Sequence, residues 1–139
     1  MKIPVLILAI FVALALILTI APTAVGQTSE QRVATPKYDP ATETTFEGRV
    51  EELRDRECPM SGGIGSHLIL KLSDGKTIEV HLATTKFVKA MDLVFKQGDQ
   101  VRLRGTKVQF EGRETIFARE LTRGNETIML RDKSGKPIW

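Results

Sequence analysis

The sequence predicts an all-β fold: a five-stranded barrel with one short helix between the third and fourth strands and a C-terminal β extension. Three features point there. Apolar and polar residues alternate with period two in several short segments after residue 44, Gly-containing turns separate those segments, and the one stretch with helical spacing lies among them.

The chain opens on a different pattern. Lys2 leads into the apolar run Ile3 to Ala21, and the small residues Ala24-Val25-Gly26 precede the first polar position, Gln27. That order is an export signal. The run of about 19 residues is also close to the roughly 20 that span a bilayer, so residues 1–26 read either as a cleaved signal peptide or as an N-terminal anchor. Both readings export the rest, to the periplasm or beyond, and the second makes this segment the chain's one membrane contact. Residues 27–43, with Pro36, Pro40 and few apolar groups, read as a flexible tether. The remainder divides into one small domain, 44–122, and a tail, 123–139.

In the domain, Phe46, Gly48 and Val50 alternate with Glu47, Arg49 and Glu51, and the break at Glu51-Glu52 predicts a bulge. Residues 54–66, which contain Pro59, Gly62, Gly63 and Gly65, read as a long loop. The next two strands form a hairpin around Ser73-Asp74-Gly75. A three-residue turn with Gly75 left-handed keeps side-chain parity, pairing Leu70 with Ile78, Leu68 with Val80, and His67 with His81. This puts the leucines inside and both histidines of the protein on the solvent face. Thr84 or Thr85 then caps a helix through about Phe95, ended by Gly98. Two strands come next, around Val101-Leu103 and Ile116-Ala118, joined by a turn at Glu111-Gly112-Arg113. The tail reads as an extended run, Thr127 to Arg131, and a turn at Lys133-Ser134-Gly135.

The segment FKQGDQVRLRGTKVQFEGRETIFARELTRG, Phe95 to Gly124, resembles the second half of many OB-fold domains: Gly-Asp enters strand four, Gly105 bends it, and a β-turn leads to strand five. The whole chain resembles, more loosely, small exported bacterial OB-fold proteins of the BOF type. The resemblance implies an OB-type barrel and says almost nothing about ligand, because that scaffold hosts many functions. The segment RECPMSGGIGSH, Arg56 to His67, matches no characterised family by its residues.

Chemistry concentrates in that same segment. Cys58 and Met60 precede His67, and the register sets His67 beside His81. A thiol, a thioether and two imidazoles suit copper or another soft metal, with zinc or haem iron behind. Cys58 is the chain's only cysteine, so no internal disulfide forms. A second class is a protein-interaction module, with an envelope protein or small ligand held by the loop or by the Trp139 tail. A third is a polyanion binder using Arg102, Arg104 and Lys107 on strand four. The formal charge is only +3, and the outward strand positions carry no aromatic rings, which argues against nucleic acid. No nucleophile–base pattern, phosphate loop or HExxH motif supports an enzyme.

Overall fold

The computed structural model describes residues 34–139, and its frame is six strands: β1 Thr44–Cys58, β2 Gly63–Leu72, β3 Thr77–Thr84, β4 Gln100–Phe110, β5 Arg113–Arg123 and β6 Glu126–Met129. They are ordered β3-β2-β1-β4-β5-β6, and a parallel pairing of β3 with β5 closes the first five into a barrel-like ring. One helix, α1 Thr85–Ala90, lies between β3 and β4. The signal or anchor segment lies outside the described residues, as does the tether as far as residue 33.

Inside the ring, Leu68, Leu70, Ile78, Val80 and Leu82 meet Val50, Val101, Leu103, Ile116, Ala118 and Leu121, all buried, with Phe46 and Leu72 half-buried at the margin. Full burial of one such side chain contributes about 1.5–3 kcal/mol, so this cluster is the main source of stability. The hairpin register is the one parity requires: Leu70 faces Ile78, Leu68 faces Val80 and His67 faces His81. Gly75 takes φ 84° and donates its N–H to Leu72 O at 3.0 Å. The bulge in β1 falls between Val50 and Glu52. At Gly105 a second register shift bends β4, where a side chain would collide with the Phe117 carbonyl.

Four expectations need correction. Residues 54–66 are not a long loop: β1 continues to Cys58 and β2 begins at Gly63, with a single 3-10 turn, Pro59–Ser61, between them. Their polar residues pair across the two strands, Arg54 with His67 and Arg56 with Gly65, so backbone hydrogen bonding outweighs the glycine and proline content. The helix stops at Ala90, because Asp92 turns left-handed at φ 51° and leaves Met91 and Val94 exposed. The end of the tether is packed. Pro40–Thr42 forms a 3-10 turn, Thr42 Oγ1 lies 2.6 Å from Thr106 Oγ1, and Glu43 is held by Arg119. Finally, His67 and His81 are not on a solvent face; both are fully buried.

Candidate metal centre

The histidines are buried because the outer side of β2 and β3 is covered, by the adjacent β1–β2 turn and by Phe117 and Trp139 from far along the chain. The extended end of the β1–β2 hairpin folds back over it, so that Ser61 Oγ lies 3.0 Å from His81 Nε2. Gly62, left-handed at φ 62°, lets the turn reverse there. A second, small core forms beneath: Cys58, Phe110 and Phe117 are buried together, with Tyr38, Met60 and Val108 packed on them. From the tail, Trp139 approaches His81 with ring centroids 5.7 Å apart.

Three donors converge in this covered space. The ligand atoms of Cys58, His67 and His81 lie within 4.8 Å of one another, and all three residues are buried. The imidazoles meet edge to face, their centroids 5.0 Å apart and their planes at 87°. Three donors about 2.0–2.3 Å from a shared ion sit about 3.5–4.0 Å apart in a trigonal arrangement, so a small contraction would bring this set to ligating distance. Met60 is half-buried on the Cys58 cluster, beside the site rather than among its three converging donors.

The surroundings of His67 are particular. Its Nδ1 lies 2.7 Å from Glu79 Oε1, an ion-pair distance whose alignment falls short of a hydrogen bond, and its Nε2 has no partner at all. Glu79 is itself buried and gripped by Arg56 Nε at 2.9 Å and Arg113 Nη1 at 3.1 Å. Burial holds the His67 ring neutral, its pKa lowered to about 4, with the Arg56 charge adding to the effect. His81 is lowered further, to about 3, again mainly by burial and then by His67 and Arg131. Neutral imidazoles are the ligating form. A side chain on Gly65 would collide with Ser61 Oγ and lie 3.1 Å from Cys58 Cβ and 3.3 Å from His67 Nε2, so the absence of one leaves a cradle bounded by site residues.

Of the residues the sequence singled out, Cys58, His67 and His81 are brought together, Met60 is adjacent, and the strand-four cations are already paired. Arg102 binds Glu47 at 2.7 Å, Arg104 binds Glu43 at 3.0 Å and Lys107 approaches Glu114 at 3.7 Å. Trp139, which the protein-interaction reading offered to a partner, packs on His81 and Arg131. Sequence reasoning missed Glu79, Ser61 and Arg131. Glu79 had a signal, since it lies two positions before His81 on the same strand face. For Arg131 there was none, because a lone arginine in a tail reads as surface.

Residues 42–128, well over half of the chain, match the MamS/MamX magnetosome protein family, and the chain belongs to that family. The match includes the segment Arg56 to His67, which by itself had pointed to no family. Comparison with curated proteins finds no matching relative.

Proposed function

We propose that this member of the MamS/MamX magnetosome protein family is an exported, non-enzymatic module that holds a soft metal ion, copper first, between Cys58, His67 and His81. The observation that carries the reading is His67 Nε2, a buried ring nitrogen with no partner beside the Cys58–His81 donors and the Gly65 cradle. An unsatisfied buried polar atom costs about 1–3 kcal/mol, and a bound ion removes that cost. Glu79 supports the assignment from the other side of the ring. A carboxylate at Nδ1 favours the tautomer that leaves Nε2 bare for a metal, the usual outer partner of a ligating histidine.

Two imidazoles and one thiolate, with a thioether nearby, form the donor set of copper electron-transfer sites, whereas hard ions prefer oxygen. The barrel serves as the rigid support, on a scaffold that resembles the OB type, and the N-terminal apolar segment directs export. The family name suggests that this work is done at the magnetosome.

Addition of Cu(II) to the reduced full chain tests the reading. An intense visible thiolate-to-copper charge-transfer band, lost in Cys58→Ser and strongly weakened in His67→Ala and His81→Ala, is expected. A colourless protein with only weak, Cys58-independent copper uptake refutes it.

A further inference from the structure

Beside the donor set lies a buried cation that no acid neutralises. Arg131 is 1% exposed, and its guanidinium's polar contacts among the described residues are with Gly135 O and His81 Nδ1, neither of them an acid. Its Nη1 donates to Gly135 O at 3.3 Å, its Nη2 lies 3.5 Å from His81 Nδ1, and its Nε has no partner. Three aromatic rings surround it: Trp139 at 4.7 Å, Phe117 at 5.5 Å and Tyr38 at 5.7 Å from the guanidinium carbon to the ring centroids. Aromatic faces attract a cation but do not cancel its charge. A guanidinium is not deprotonated in proteins, so the residue stays charged at neutral pH.

Arg131 is therefore a fixed positive charge about one imidazole ring away from where an ion bound by His81 would sit. Two like charges at that separation repel, and the repulsion doubles when the ion's charge doubles. With an effective dielectric constant near 20, each added unit of ionic charge at about 7 Å weakens binding by about 10- to 100-fold. The Cys58 thiolate cancels one positive charge. A monovalent ion then leaves the cluster of thiolate, ion and guanidinium at +1, and a divalent ion leaves it at +2, among buried side chains.

We propose that Arg131 is the specificity-determining residue of this site, favouring Cu(I) over divalent ions by fixed charge while leaving Cu(II) able to bind more weakly. The inference rests on the metal-binding reading above and adds to it the oxidation state and the residue that sets it. It also gives the tail a role, since the bridge between Arg131 and Pro137 and the Trp139 ring hold the guanidinium in position.

Competition titrations of the full chain with Cu(I) and with Zn(II), each against a chelator of known affinity, provide the test. In Arg131→Met, Zn(II) affinity should rise by at least about tenfold more than Cu(I) affinity, and Arg131→Lys, which keeps the charge, should retain the native ratio. Should Arg131→Met fail to fold, Arg131→Gln, which keeps a donor for Gly135 O, carries the same expectation. Equal changes for both ions, or a lysine variant that behaves like the methionine one, overturn the role of Arg131 while leaving metal binding intact. Failure of the native protein to bind either ion overturns both.

Discussion

Two polar clusters in this protein, one half-buried and one fully buried, are built to opposite rules. Around Glu43, every charge is answered: Arg119 grips the carboxylate through Nε at 2.6 Å and Nη2 at 2.8 Å, Tyr38 donates its hydroxyl at 2.6 Å, and Arg104 reaches it at 3.0 Å. Those bonds hold the Glu43 carboxyl down at about pKa 2, the Arg119 hydrogen bonds contributing most, and push the Arg119 guanidinium up. Around His81, by contrast, His67 Nε2 and Arg131 Nε are orphaned, and a guanidinium sits among aromatic rings without an acid. A satisfied cluster joins the chain before β1 to β4 and β5 and is explained by folding. An unsatisfied one, with its donors buried, is left unexplained by folding, and the proposed metal site accounts for it.

The contrast can be broken most directly by removing each arginine. Arg119→Met strands the Glu43 carboxylate with weaker partners and should cost about 3 kcal/mol in urea unfolding, whereas Arg131→Met, which removes an uncompensated buried charge, should cost no more than about 1 kcal/mol. Similar losses at both positions would erase the distinction. Gly65→Ala comes next. Its added methyl group fills the cradle and should destabilise by about 1–3 kcal/mol, and in addition should abolish any metal-dependent rise in melting temperature. A variant that keeps that rise would show that the cradle is not the site.

Acid separates the clusters by pH window. The folded-state pKa values of His67 and His81 lie below the ordinary 6.5, so the unfolded chain takes up protons first. Their contribution is complete above pH 6.5 and is lost as the pH falls towards 4 and then 3. Glu43 is also lowered, from 4.5, so its contribution is complete above that value and fades towards pH 2. Between pH 6.5 and 4.5 the histidines dominate, and replacing both by Gln should flatten the stability profile in that window and reduce its slope further down to about pH 3, where Glu43 also contributes. An unchanged slope there would mean that the rings are protonated in the fold. The smallest effect belongs to the exposed pair Arg102–Glu47: Arg102→Ala should change stability by about 0.2–1 kcal/mol, since such surface pairs are largely solvated.

How far these clusters were legible in the sequence depends on the distance over which each is assembled. Parity around Gly75 set His67 opposite His81, because a pleat allows only one register that keeps Leu68, Leu70, Ile78 and Val80 together. Cys58 was legible only as a soft donor close before His67 in sequence, while the strand that carries it was not. Neither was the burial of both rings. An alternating strand says which face is apolar, and it does not say that Phe117, Trp139 and the Ser61 turn will cover the other face. The second core takes Tyr38 from before the domain, and Arg131 from after it lies over the Tyr38 and Phe117 rings, positions that read as tether and tail. Residues 54–58 read as loop for a related reason, since strand pairing of polar residues leaves no hydrophobic period to detect.

The central claim is that the orphaned cluster is a metal site, and the measurement closest to it is Cu(I) binding by the reduced full chain, followed by X-ray absorption at the copper edge. One copper per chain, with one sulfur and two imidazole nitrogens in its first coordination shell and loss of the sulfur signal in Cys58→Ser, is the expected result. Copper bound only through oxygen, or in the same environment after Cys58→Ser and His67→Ala are combined, would contradict it.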